Sequence, residues 1–234
     1  MSLTALRIFI FSLLPLLMAG VVILLDKSTS TRERRLEALL IFLFGLGMGG
    51  SGIAGFFAHF FLSDTVAESI GWETGSPFQL EIAFANLAMG ILGIIATGRR
   101  DGFREASVIA AATFSFGATI VHIMDILATG NLAPGNTIQN VGNLLRPGLL
   151  IVFLIAMRRA EARPGSDAGS AEFERWRNTL LQVSAPVTII VATGFGLGFA
   201  FGQAWLLTGI GVLLSLVVLG AALLRSPMHE LGWG

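Results

Sequence analysis

Long apolar stretches alternate with short polar ones along the chain, and this pattern predicts a bundle of membrane-spanning helices. Most of the stretches are long enough to cross a hydrocarbon layer, which takes about 20 helical residues. We expect seven spans, at residues 8–25, 36–62, 77–97, 103–127, 146–157, 180–200 and 204–224. The predicted fold is therefore all-α, a single polytopic membrane domain over residues 1–234 with its core at 36–128.

Basic residues predict how this bundle is oriented. They cluster after the first, third and fifth spans, and Arg225 follows the seventh. Loops rich in Lys and Arg stay on the cytoplasmic side of a membrane. We therefore expect an outside N-terminus, a cytoplasmic loop at 160–177, a cytoplasmic tail at 225–234 that holds a solvated His229, and a place in the cytoplasmic (inner) membrane. The first span is expected to be a retained helix, because no small-x-small cleavage site follows it.

Composition supports a membrane protein and narrows its chemistry. The chain is 54% hydrophobic and 13% charged, with a mean hydropathy of +0.78, whereas soluble domains carry about 25% charged residues. A net charge of +0 gives no footprint for nucleic acid. The absence of Cys and Tyr excludes disulfides, thiolate sites and tyrosine chemistry. Lys27, the single lysine, ends the first span, so a buried Schiff base is excluded as well.

Four ionisable residues within the second, third and fourth spans form the candidate site. They are His59, Glu81, His122 and Asp125. Because consecutive spans run in opposite directions, the end of the second, the start of the third and the end of the fourth lie at a similar depth. Rows of small residues lead to both histidines, so we expect them to face the bundle. Charged groups at membrane depth are costly, which favours a function for them.

The leading interpretation of these four residues is a transition-metal site that holds Zn²⁺, Fe²⁺ or Mn²⁺. Two imidazoles and two carboxylates suit these ions, and His122 and Asp125 have the i, i+3 spacing of ligands in di-iron bundles. Supporting residues are expected among Asp64, Glu68, Asn86 and Arg146, with Asp64 and Glu68 as further ligands or an entry path and Arg146 as the partner of a carboxylate. Two alternatives stay open: a structural hydrogen-bond network, and a haem held by His59 and His122, which the two acids would crowd.

A helix start is predicted just before Glu81. Ser76 is expected to be the N-cap, Pro77 the first helical residue, and Gln79 to reach back as in a capping box. Trp72, shortly before, is expected to be an interface anchor.

The run at 70–81, which reads IGWETGSPFQLE, resembles an uncharacterised family of prokaryotic multi-pass membrane proteins. The resemblance extends over about residues 40–130, with a histidine before the run and another after it. It implies no activity, because that family has none assigned.

Three hypotheses about function follow from the sequence. The first is a membrane metalloenzyme that acts on a lipid or quinone-like substrate. The second is an ion- or proton-coupled transporter with Glu81 and Asp125 as proton carriers. The third is an accessory subunit whose glycine-rich helices pack in a homo-oligomer or a larger membrane complex.

Overall fold

The chain folds into a helical bundle in a computed structural model that describes residues 3–202 and 204–225. Within these ranges the helices are α1 Leu3–Leu25, α2 Arg32–Phe61, α3 Ser63–Ile70, α4 Phe78–Gly98, α5 Gly102–Thr129, α6 Pro134–Thr137, α7 Gln139–Glu161, α8 Ala171–Ala200 and α9 Ala204–Arg225. Seven segments, with α6 and α7 taken as one, are long and apolar enough to cross a membrane. The predictions of an all-α fold and of seven segments able to cross a membrane are confirmed for the described residues. The predicted tail with His229 lies outside them, apart from Arg225.

The second span, α2, is the centre of the bundle. It packs against α1, α4, α7 and α8, and 72% of its apolar window is buried, more than in any other span. Its middle is a π-helical segment, Leu43–Gly50. Such wide turns occur mostly as short insertions and often lie near functional sites.

The closest helix contact joins α2 to α4 through glycine. A Cβ atom placed on Gly52 would overlap the backbone nitrogen of Gly90, and one on Gly93 would lie 2.5 Å from the backbone nitrogen of Gly49. Glycines of both helices therefore form this interface.

The prediction that Gly47, Ser51 and Gly55 share one face of α2 with His59 is only partly correct. A Cβ on Gly55 would meet Asn86 of α4, but one on Gly47 would meet the carbonyl oxygen of Phe11 on α1. The π-helical segment contains Gly47 and changes the spacing of residues along the helix. Residues that a regular α-helix would align on one face therefore contact two different helices.

The fifth span is longer than the sequence predicted. It was expected to begin at Arg146, after a polar loop, but α7 begins at Gln139 and contains Pro147 in its interior. A proline removes one backbone hydrogen bond, and membrane helices tolerate this when neighbouring groups compensate. The polar residues before Arg146 therefore lie on a helix of the bundle.

The segment predicted as a loop at 160–177 is exposed at residues 162–165, but its second half packs on the bundle. Phe173 and Trp176 are fully buried, and α8 begins inside the loop, where the Ser170 hydroxyl accepts a bond from the Phe173 amide at 3.0 Å. The Trp176 indole donates to Asp26 at 3.0 Å. The loop therefore packs onto the bundle, because its aromatic residues find both apolar and polar partners there.

At one end of the bundle, charged side chains pair with one another. Helices α1, α4 and α7 end there, and α2, α5 and α8 begin there, so we call it the ion-pair end. Glu37 is fully buried and bonds Arg104 at 2.7 and 2.8 Å and Arg177 at 2.6 Å. Both arginines also donate to the carbonyl oxygen of Thr97 in the last turn of α4. A cation there satisfies helix-terminal carbonyls and complements the helix dipole.

Candidate functional site

The opposite end of the bundle encloses a cavity of about 430 Å³. We call it the histidine end, where α2 and α5 end and α4 and α7 begin. Helices α1, α2, α4, α5 and α7 form the walls, and α3 and α6 contribute residues at the end of the bundle. The polar side chains that line this polar cavity are Thr4, Arg7, Ser51, His59, Ser69, Trp72, Gln79, Asn86, Thr113, Ser115, His122, Gln139, Asn143 and Arg146. No Asp or Glu among the described residues lines it.

Arg7 supplies one positive charge to the polar cavity. It lies in the first turns of α1, and its side chain makes no hydrogen bond or ion pair with any residue that the structure describes. An unpaired guanidinium at membrane depth is expensive, since five donor N–H groups are left to whatever enters the cavity. Its charge acts on the imidazole of His59.

Arg146 supplies the second positive charge. Its Nε donates to the carbonyl oxygen of Gly142, one turn earlier in α7, at 3.2 Å. The sequence suggested that Arg146 could pair with a carboxylate, but no such partner occurs among the described residues. The charges of Arg146 and Arg7 repel each other across the cavity. Two like charges that share a cavity favour an anion between them.

His59, near the end of α2, is held by an amide of α4. Its Nδ1 lies 2.7 Å from Oε1 of Gln79, and Gln79 is 3% exposed. The sequence predicts that Gln79 caps its own helix, α4, but its side chain instead contacts His59 on α2. In this orientation of the Gln79 amide, its oxygen accepts, which assigns the proton of His59 to Nδ1.

His122, near the end of α5, is held in the same way by α6. Its Nδ1 lies 2.7 Å from Oδ1 of Asn136, whose Nδ2 donates to Asp125 at 2.8 Å and to the carbonyl oxygen of Asn131 at 2.9 Å. This network assigns the amide orientation and therefore the Nδ1–H form of His122.

Asp125 fixes the surroundings of His122 from behind and does not line the polar cavity. Its Oδ2 also accepts from the Trp72 indole at 3.1 Å and from Asn131 at 2.9 Å. The Trp72 ring stacks on the His122 imidazole with centroids 5.4 Å apart. Trp72 therefore has a role at the site beyond the interface anchor that the sequence suggested.

Both histidines thus donate Nδ1–H to an amide, which leaves each Nε2 without a partner within residues 3–202 and 204–225. Bonding of one ring nitrogen to a fixed acceptor orients the imidazole, as is usual for histidines that bind a metal or a ligand. This shared arrangement is the strongest sign that the two rings act on something in the cavity.

Glu81 does not join the two histidines. It is exposed on the first turn of α4 and does not line the polar cavity. The lining residues of this helix include Gln79, Ile82 and Asn86, which recur at helical spacing on one face. A residue two positions from Gln79 points elsewhere.

The predicted supporting residues separate into two groups. Asn86 and Arg146 line the polar cavity, whereas Asp64 and Glu68 are exposed on α3. Asp64 accepts a bond from the Gly75 amide at 2.9 Å and so holds the turn before α4.

The structure gives the four-residue metal site no support. Among the described residues there is no group of three or more His, Asp or Glu side chains that could hold a metal ion. His59 and His122 line one cavity, Asp125 supports His122 through Asn136, and Glu81 is elsewhere. Metal binding itself stays an untested prediction.

Several residues of the site were missed by sequence reasoning, above all Arg7 and Gln79, which line the polar cavity, and Asn136, which orients His122. The available signals were an arginine at the start of an apolar span and the clustering of Asn and Gln at 136–143. Each had a simpler local explanation, as a helix flank, a cap or a loop.

Comparison with known proteins assigns a family. The sequence model of a family of unknown function (DUF6790) matches residues 6–163, so the chain belongs to this family. The match contains every residue that lines the polar cavity except Thr4, and it is longer than the expected 40–130. No curated protein and no solved structure matches the chain.

Proposed function

We propose that this chain, a member of a family of unknown function, binds an anionic ligand in the polar cavity of its membrane domain. The observation that carries the proposal is the pair Arg7 and Arg146, two guanidinium groups on one cavity whose described lining includes no carboxylate. Arginine is the side chain best suited to carboxylate and phosphate groups, because its planar fork donates two parallel hydrogen bonds.

A bound anion would offset the cost of placing two unpaired guanidinium groups at membrane depth. Elsewhere the same chain pairs its buried arginines, as Glu37 does for Arg104 and Arg177. Arg7 and Arg146 have no such partner among the described residues. A bound anion would supply the missing charge, and its binding would be strengthened by the low dielectric of the bilayer.

The two histidines complete the site. Each presents a free Nε2, which accepts a proton or donates one when the ring is charged. They can therefore hydrogen-bond an anion or exchange a proton with it. With basic loops on the cytoplasmic side, the polar cavity lies in the outer half of the membrane.

Transport is supported less well than binding. In α2, the apolar residues Leu40 to Phe44 are buried. They lie between the polar cavity and the ion-pair end and separate the two. Glu81, the proton carrier of the transport hypothesis, is outside the cavity.

A thermal unfolding experiment tests the proposal. Purified protein in a neutral detergent is heated with and without butyl phosphate, with butanol as the neutral control. Binding to the native state raises the Tm. We expect a rise with butyl phosphate alone, lost in Arg7→Gln and Arg146→Gln and kept in Arg159→Gln, which changes an exposed arginine at the ion-pair end. No rise in the wild type, or an equal rise in all variants, would contradict the proposal.

A transition metal is a second ligand class for the same histidines. The two oriented Nε2 atoms favour it, and the ligand or water would have to complete the coordination of Zn²⁺, Fe²⁺ or Mn²⁺. Elemental analysis of the wild type and of His59→Ala/His122→Ala tests it, since equal metal content would reject it. An optical spectrum of the same samples separates haem from other metals.

A further inference from the structure

A second cavity of about 530 Å³ adjoins the polar cavity at Arg7. It is a groove between α1, the α2–α3 corner and α8, and its lining is mainly apolar. Four residues line both spaces: Thr4, Arg7, Val66 and Ser69. We call this second space the apolar groove.

The apolar groove has one charged residue among its described lining, and that residue is Arg7. Aromatic and aliphatic side chains supply most of the remainder, including Ile53, Phe57 and Phe195. A guanidinium at the junction of a polar and an apolar space therefore contacts both at once. This is the arrangement that an amphiphile requires.

The apolar groove is accessible from the side of the bundle. Phe57 and Phe61 line it and are 53% and 63% exposed, and Leu197 on the opposite wall is 48% exposed. In a membrane this surface faces hydrocarbon, so a chain could enter the groove from the bilayer without crossing water.

We propose that the ligand is an anionic lipid, with its head group in the polar cavity beside Arg7 and Arg146 and a hydrocarbon chain in the apolar groove. This inference rests on the proposed anion site and adds the substrate class. The shared lining at Arg7 supports it, as do the opposite character of the two spaces and the exposure of the groove to the bilayer. The combined volume is in the range of ordinary ligand sites.

Gly196 offers a way to block the chain without touching the head-group site. It lines the apolar groove, and a Cβ placed on it meets nothing within 4 Å. Gly196→Leu should therefore fill the groove without displacing the backbone. The matched control is Gly209→Leu on α9, a site that is also open around its Cβ but lies outside the groove.

Native mass spectrometry from neutral detergent measures the binding of dioleoyl phosphatidylglycerol and of dioleoyl phosphatidylcholine. We expect the wild type to bind the anionic lipid at least tenfold more tightly than the zwitterionic one. Gly196→Leu should weaken anionic-lipid binding at least tenfold but keep the Tm rise with butyl phosphate. Arg7→Gln should lose both, and Gly209→Leu should lose neither.

The outcomes separate this inference from the proposed function. If Gly196→Leu binds the anionic lipid as the wild type does, while Arg7→Gln still abolishes the butyl phosphate response, the anion site stands and the lipid assignment is wrong. The lipid assignment is also wrong if the two lipids bind equally. If Arg7→Gln changes neither readout, both proposals are wrong.

Discussion

The two ends of the bundle differ in how their buried or partly buried arginines are paired. At the ion-pair end, Arg104 and Arg177 share the carboxylate of Glu37 and also donate to helix-terminal carbonyls. At the histidine end, Arg7 and Arg146 face a cavity with no carboxylate partner among the described residues. The difference favours a role in fold stability for the first pair and the proposed role in ligand binding for the second.

The aromatic residues follow the same division. Trp176, at the ion-pair end, is fully buried and donates to Asp26, which also accepts from the hydroxyls of Ser28 and Thr29. Trp72, at the histidine end, lines the polar cavity and stacks on His122. The Trp176 indole completes a network of paired polar groups, whereas Trp72 covers a ring whose second nitrogen has no partner among the described residues. Substitutions should therefore change stability at the ion-pair end and ligand binding at the histidine end.

Glu37→Gln should have the largest effect, on stability. It leaves Arg104 buried without a charge partner and Arg177 with only the more distant Glu174, at 4.0 Å. Removal of one member of a buried ion pair costs about 3–5 kcal/mol. Denaturant unfolding in mixed micelles measures the free energy of unfolding.

The control for this change is Glu172→Gln, because Glu172 pairs with Arg34 at 3.1 Å while half exposed. Such a pair contributes about 1 kcal/mol or less. Equal effects of the two substitutions would show that the buried Glu37 carboxylate stabilises the fold no more than an exposed ion pair does.

Gly52→Ala should affect both ends, because the contact of α2 with α4 supports residues of each. The added methyl group overlaps the backbone of Gly90, and overpacking of this kind costs about 1–3 kcal/mol. We expect lower unfolding free energy together with weaker butyl phosphate binding. Gly20→Ala on α1, where a Cβ meets nothing within 4 Å, is the matched control. A stable Gly52→Ala protein would contradict the tight helix crossing.

Arg7→Gln should change binding and leave stability intact. A hydrogen bond to a charged group contributes about 1.5–3 kcal/mol, so the affinity for butyl phosphate should fall about tenfold or more. The free energy of unfolding without ligand should stay equal or rise, because an unpaired charge is removed. A loss of stability of the size expected for Glu37→Gln would make Arg7 a structural residue and remove the contrast between the ends.

Asp125→Asn should have the smallest effect. The new amide keeps an acceptor oxygen but weakens the bonds from Trp72 and Asn136, each worth about 0.5–1.5 kcal/mol. We expect a few-fold weaker binding of butyl phosphate and a change in Trp72 emission. Asp64→Asn, which changes an exposed residue of α3, should change neither. An unchanged affinity in Asp125→Asn would mean that the orientation of His122 does not matter for binding.

The bundle was predictable from the sequence because span length and apolar content are local properties. Local rules also indicated that His59 and His122 face the interior, since small residues precede both at helical spacing. They failed at Gly47, where a π-helical segment changes the spacing, and at Pro147, which does not interrupt its helix.

The chemistry of the site was less predictable because it depends on pairings distant in sequence. Arg7 looked like the flank of a span, and only the fold places it on the same cavity as Arg146. Glu81 looked like a ligand, but its position on the helix turns it away from Gln79 and the cavity. The partners of Glu37 are 67 and 140 residues away along the chain, so the stabilising end was recognised only as a set of basic loops.

The most direct test of the contrast between the ends is calorimetric titration of the protein in neutral detergent with butyl phosphate. We expect binding at one site per chain in the wild type and in Arg159→Gln, weakened by salt. We expect no measurable binding in Arg7→Gln/Arg146→Gln, with the free energy of unfolding unchanged or higher. Equal affinity in the wild type and the double variant would contradict the assignment of the histidine end as an anion site.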